Sequence, residues 1–150
     1  MMIRKIQEIQ SLHYDLLQSA DPDHRLVTEY VKRGVCFEVI LNEQIVGILV
    51  LLPTRPETLE IINIAVSDHY QGQGIGETMI HFALDHAKQN HYKTVEIGTG
   101  STSLGQLYLY QKCGFRMSGI DRDFFVRHYK DEIVENKLIL KDMVRLSQDV

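Results

Sequence analysis

VSDHYQGQGIGETM, residues 66–79, puts glycines at alternate positions, 72, 74 and 76, where a β-branched apolar run gives way to helical spacing. Glycine costs backbone entropy and lends a helix start no stability, so three of them there need a reason. Amides 72 to 76 can turn toward a ligand only where no Cβ blocks the approach. The helix that follows adds unpaired N–H groups and a partial positive charge. Backbone donors of this kind suit a pyrophosphate and require no lysine. A dinucleotide fingerprint needs glycine three residues after Gly74, where Glu77 stands, and a phosphate-binding P-loop needs Gly-Lys-Ser/Thr, which is absent. A plain structural turn is the remaining alternative, and it leaves the alternation unexplained.

Working outward, Leu59–Val66 is an almost unbroken apolar run, as expected of a central strand. Ile75, Met79, Phe82, Ala83, His86 and Ala87 recur at helical spacing, so a helix should run to about Asn90. Upstream, residues 11–34 read as two helices broken at Asp21-Pro22-Asp23, the second over His24–Arg33. Val35–Leu41 and Ile45–Leu52 then form a hairpin ended by Pro53 and Pro56. Downstream, Thr94–Ile97 is a strand turned by Gly98-Thr99-Gly100, Leu104–Lys112 a helix stopped by Gly114, and Phe115–Ile120 a strand. Lys137–Leu146 is a last strand paired with it. The order predicts an α/β (α+β) fold, one domain over residues 1–150 with a mixed central sheet flanked by helices.

Composition excludes several function classes. A net charge of −4 leaves no basic footprint for nucleic acid or an anionic membrane surface. The longest apolar run, Ile45–Leu52, is too short to span a bilayer, and the N-terminus lacks a secretory h-region. Cys36 and Cys113 match no metal or redox spacing, and no histidine pairs with cysteine or carboxylate at a standard one, so no metal is expected. Two reduced thiols fit a cytoplasmic protein.

Gln71-Gly72-Gln73-Gly74-Ile75-Gly76 resembles the Q/R-x-x-G-x-G/A signature of the GCN5-related N-acetyltransferase (GNAT) superfamily, and Leu109-Tyr110-Gln111-Lys112-Cys113-Gly114-Phe115 resembles its L-Y-x-K-x-G-F segment. The pair covers the region of about 35–120, with 121–150 left as a C-terminal loop and strand. The resemblance implies an acetyl-CoA-dependent N-acetyltransferase acting on a primary amine of a small molecule or peptide, with acetyl-CoA as cosubstrate in a split between the fourth and fifth strands. It implies that Ile64, Ala65 and Val66 meet the pantetheine arm, that Gln71, Gly72, Gln73, Gly74, Ile75 and Gly76 hold the pyrophosphate, and that Tyr110 is the general acid. Ser103 stands where the family often has a cofactor-binding asparagine, and a serine there can also cap the helix. A non-catalytic acyl-CoA-binding sensor is the alternative.

The base is sought among strand-end carboxylates, Glu60 ahead of Glu96; each also reads as a solvated strand end. Asn63 either binds substrate or pairs with neighbouring backbone. The segment 121–136 mixes acids, bases and aromatics, suiting an acceptor pocket in which Asp121, Asp123 and Glu132 attract a cationic amine, or a plain packed loop. The tail strand is the candidate surface for a homodimer.

Overall fold

The computed structural model describes all of residues 1–150. The chain runs β1 (Met2–Lys5), α1 (Ser11–Ala20), α2 (His24–Arg33), β2 (Val35–Leu41), β3 (Gln44–Arg55), β4 (Thr58–Val66), α3 (Ile75–Gln89), β5 (Thr94–Gly100), α4 (Leu104–Lys112) and β6 (Arg116–Asp121). A short α5 (Phe124–His128), the hairpin β7 (Val134–Glu135) and β8 (Leu138–Ile139), and β9 (Met143–Asp149) complete it. Seven strands form one sheet in the order β1-β2-β3-β4-β5-β9-β6, antiparallel except for the pair β4–β5.

Helices cover both faces. On one, Ile75, Met79, Ile80, Ala83 and Ala87 of α3 pack on Phe37, Leu49, Leu59, Ile61, Val95 and Ile97. On the other, Leu16 and Leu17 of α1 and Val27 and Tyr30 of α2 cover Ile48, Val50, Leu52 and Ala65. Burying each such aliphatic side chain contributes about 1.5–3 kcal/mol. The break between α1 and α2 falls where the sequence places it. Asp21 closes α1, and Asp23 caps α2, its carboxylate accepting from the Leu26 amide at 3.1 Å.

Several boundaries differ from the sequence reading, each for a visible reason. β3 continues through Pro53 to Arg55, because the ladder to β4 is irregular there and Pro53 sits opposite Leu59. Gly98-Thr99-Gly100 is strand and not turn: β9 pairs with β5 along its whole length. A Cβ at Gly98 or Gly100 would fall 2.7 Å from Met143 Sδ or 2.6 Å from Leu140 Cδ1. The last strand lies later than expected, at Met143–Asp149, and inserts between β5 and β6. Residues 134–139 form the separate hairpin β7–β8. No helix is long and apolar enough to cross a membrane.

Candidate active site

The site begins where β4 and β5 separate. Parallel pairing joins Thr58–Ile61 to Thr94–Ile97 and stops there, although both strands continue. A register shift against β3 pairs Leu51 with Ile61 and Val50 with Asn63, leaving Ile62 as an extra residue that bends β4 away from β5. The edges of Ile62–Val66 and Gly98–Gly100 that face the split have no ladder with each other. An extended, amide-bearing chain can pair there as a strand would.

At the end of β4 lies the glycine loop. Gly72 and Gly74 have φ of +76° and +83°, and Gly74 caps α3. The Tyr70 amide donates to Ser67 and the Thr78 amide to Gly74; the amides from 71 to 77 between them find no backbone acceptor. A Cβ on Gly72 or Gly74 would meet nothing within 4 Å, so backbone conformation and not crowding demands glycine at both. Gly76 lies inside the first turn of α3, where a Cβ would make only ordinary contact with Leu109, at 3.5 Å. Gln71 Nε2 donates to the Val66 carbonyl at 3.0 Å, tying the loop to the strand end, while Ile75 is anchored in the core. Gln73 is exposed. This row of free amides at a helix N-terminus fits a pyrophosphate.

A cavity of about 630 Å³ opens at the base of the split. Ile61–Ile64 and Ile97–Gly100 line it from the strands, Ser103 and Tyr110 from α4, Asp21 and Tyr30 from the α1–α2 elbow, and Phe124, Phe125 and Tyr129 from the tail. Ala65, Val66 and the glycine loop lie beyond its lining.

Tyr110 both closes a helix and faces the cavity. The Phe115 amide donates to the Tyr110 carbonyl and the Gly114 amide to that of Gln111, with Gly114 at φ +97°. Tyr110 and Phe115 pack edge-on, with ring centroids 6.4 Å apart. This is a Schellman helix end with its hydrophobic contact, and it explains the Y-x-x-x-G-F spacing without chemistry. The Tyr110 ring is also on the cavity wall, and burial raises its phenol well above the ordinary tyrosine range. It therefore keeps its proton at neutral pH. Tyr108, two residues away, points into solvent at 69% exposure.

Ser103 does not cap α4. Its hydroxyl donates to Glu135 Oε1 at 2.5 Å, beside Thr102 at 3.1 Å, because the β7–β8 hairpin brings that carboxylate against the helix start. Glu60 lines the cavity and lies 3.6 Å from Arg145 Nη1. Burial raises its carboxyl against the opposing pull of Arg145, and Glu96, its register partner on β5, raises it further. Glu96 itself is paired with Arg55 at 3.1 Å and lies outside the cavity. Asn63 is buried and donates to the Leu17 carbonyl and to Tyr30 Oη.

The tail does line the cavity, but through different acids from those expected. Asp121 is held by Arg145 at 2.7 Å, and Asp123 and Glu132 are not part of the lining. Besides Glu60, the carboxylates that do line it are Asp21, which the sequence marks only as a helix break, and Glu29 and Glu135, on which the sequence reading places no role. Only the tertiary fold joins them. Contrary to the histidine reading, His81 lies 3.9 Å from Glu77 on α3, and these two gather with Cys113, buried at the end of α4. Lys112 already occupies Glu77, at 3.3 Å.

The family profile described as "Acetyltransferase (GNAT) family" matches residues 3–115. The chain belongs to the GNAT acetyltransferase family. It is 49% identical over 137 residues to the Bacillus subtilis (strain 168) protein named "Uncharacterized N-acetyltransferase YvbK", covering 91% of this chain and 88% of that one. The crystal structure of a Bacillus subtilis acetyltransferase in complex with CoA superposes with a TM-score of 0.95 at 47% identity, over 99% of this chain and 97% of that one. A GNAT family acetyltransferase from Elizabethkingia anophelis with acetyl-CoA bound superposes with a TM-score of 0.96 at 40% identity and the same coverage. The fold expected from the two motifs is the fold found, and the chain is an N-acetyltransferase of this family.

Proposed function

We propose that this N-acetyltransferase passes the acetyl group of acetyl-CoA directly to a primary amine of a small molecule or peptide, with no covalent enzyme intermediate. The observation that carries the reading is the parting of β4 and β5 at Ile61, with a row of unpaired amides at the end of β4. Relatives with CoA and acetyl-CoA bound support it. The amides of Gln71, Gly72, Gln73, Gly74, Ile75 and Gly76 hold the pyrophosphate, and the free edge of Ile64, Ala65 and Val66 pairs with the pantetheine arm. Ser103, its proton engaged by Glu135, keeps oxygen lone pairs to accept from a pantetheine amide.

The thioester supplies an activated acetyl group and a thiolate leaving group with a pKa near the ~8.5 of a thiol. An amine arrives mostly protonated and reacts only when neutral, so a base must take its proton. Glu60, raised by burial on the cavity wall, is placed to do so through water. Backbone N–H groups of the open strand edges face the developing oxyanion. Tyr110 gives its phenolic proton to the departing sulfur. Cys113 is not a nucleophile, being buried with its thiol raised by burial.

Calorimetry with CoA and desulfo-CoA, followed by thiol release with a panel of amines, tests this reading. Micromolar binding with amine-dependent release is the expected result; absence of binding ends it. We place the protein in the cytoplasm, in keeping with two free buried thiols. The tail strand expected to carry a homodimer, β9, is paired on both sides by β5 and β6, so we assign self-association instead to β6, one of the two sheet edges, which exposes Met117 and Ile120; sedimentation reads it directly.

A further inference from the structure

The cavity wall carries four carboxylates, Asp21, Glu29, Glu60 and Glu135, against two guanidiniums, Arg33 and Arg145. Glu29 is paired with Arg33 at 2.8 Å, and Arg145 divides itself between Glu60 and Asp121. Asp21 and Glu135 are held by uncharged donors alone. Asp21 accepts the phenol of Tyr30 at 3.0 Å, that of Tyr129 at 2.8 Å, and the Asp23 amide at 3.3 Å. Glu135 accepts the two hydroxyls of Thr102 and Ser103. Hydroxyl donors orient a carboxylate and leave its charge uncancelled. A partly buried carboxylate of this kind is costly unless a cation joins it.

A second observation lies two hydrogen bonds from Asp21, through Tyr30. Asn63, 5% exposed and on the same cavity wall, donates to Tyr30, the residue that orients Asp21, while its Oδ1 has no partner. A buried acceptor left unpaired costs about 1–3 kcal/mol, a cost that an N–H donor reaching Oδ1 would remove. The rings of Tyr30, Phe124, Phe125 and Tyr129 close the same region, and aromatic faces favour cations.

Resting on the acetyl-transfer reading above, we propose that the acceptor carries a second cationic group besides the amine that reacts, and that Asp21 is the residue that receives it. Glu135, on the opposite wall, adds to the negative field that draws such a molecule in. Asn63 follows Glu60 on β4 with Ile62 bulged between them, so the two span only Leu52 to Val50 on β3, roughly 7 Å. Asp21 is reached from Asn63 through the Tyr30 phenol, by bonds of 2.8 and 3.0 Å. The second nitrogen must therefore sit several methylenes from the first, as in a long diamine or a polyamine.

The test compares 1,8-diaminooctane with 1-aminooctane, equal in chain length and different by one ammonium. Each is titrated into the full chain saturated with CoA and followed by calorimetry without turnover. The diamine is expected to bind about 10- to 100-fold more tightly, the range for one charge-assisted hydrogen bond. Asp21→Asn is expected to bring the ratio below about threefold, and Asp21→Glu, which keeps the charge, to preserve more of it. Parity of the two amines in the parent protein overturns the proposal. So does a preference that survives in Asp21→Asn with CoA affinity and melting temperature intact. Should that variant not fold, Glu135→Gln provides the second reading: lowering the field must reduce the ratio, and an unchanged ratio counts against the proposal. A diamine preference without acetyl release from any amine removes the transfer reading alone; release without the preference removes this one alone.

Discussion

At Gly74 the backbone runs at φ +83°, a region that costs an L-residue about 1–2 kcal/mol; at Gly76, in the first turn of α3, alanine is favoured over glycine by about 0.5–1 kcal/mol. Gly74→Ala is therefore expected to lower stability and weaken CoA binding together, because the amides on either side lose their orientation. Gly76→Ala is expected to hold or raise the unfolding midpoint and to leave CoA affinity within about threefold, its Cβ making only ordinary contact. Urea melts and calorimetry on both variants read this out; a stable Gly74→Ala with parental affinity would separate the loop conformation from its function. Tyr110→Phe isolates the chemistry of one hydroxyl, since Phe keeps both the Schellman contact with Phe115 and the core packing. Loss of a general acid predicts a fall in kcat of about 10²–10⁴ with CoA affinity unchanged. Because burial holds the phenol above its ordinary range, its ionisation should leave no limb in the pH profile below about pH 10. A kcat within twofold of the parent assigns Tyr110 to the helix end alone.

Elements with strong local signals were legible in the sequence, and those made by distant partners were not. Helix α2 carries its cap, its amphipathic stripe and its stop within twelve residues, and β4 is an apolar run too continuous to be anything else. By contrast β1 turns only Ile3 toward the interior, and β7 and β8 have two residues each, so no periodicity marks them. The same division runs through the site. The glycine loop and Tyr110 announce themselves by spacing, whereas Asp21 meets Tyr129 across 108 residues and Glu135 meets Ser103 across 32. The β2–β3 hairpin gives a prediction at this scale. Asn42 and Glu43 both have positive φ, as a type I′ turn requires, and Glu is poorly suited to the second position, where glycine is preferred. Glu43→Gly is expected to stabilise the protein by roughly 0.5–1 kcal/mol, read as a higher urea midpoint with an unchanged m-value. A lower midpoint would mean that the larger unfolded-state entropy of glycine outweighs the relieved strain.

Across the whole molecule, the edge strand β1 is bound to the rest by charge as much as by packing. Glu38 on β2 accepts from Arg4 of β1 at 2.7 Å and from His13 of α1 at 2.7 Å, joining three elements around one buried carboxylate. Burial pushes the Glu38 carboxyl up, but the hydrogen bonds and charges of Arg4 and His13 outweigh it and leave the group below the ordinary glutamate range. A carboxyl lowered on folding contributes stability that is full above its unfolded pKa, about 4.3, and disappears as pH falls through the folded value. Asp21 and Glu60 have the opposite sign: burial raises both, so the folded state binds their protons more readily and mild acid relieves them. As pH falls from neutrality the two raised groups take up protons ahead of Glu38, and the folded state should lose little or gain slightly. Below about pH 4 Glu38 protonates, its bonds to Arg4 and His13 weaken, and β1 and α1 detach from β2 before the central strands open. Glu38→Gln is expected to cost about 1.5–3 kcal/mol at pH 7, the range for hydrogen bonds to a charged group, and progressively less toward pH 3. Urea unfolding of parent and variant at pH 7, 5 and 3 measures the gap. A gap constant across that range would mean that the shape of the Glu38 side chain, and not its charge, holds the sheet edge in place.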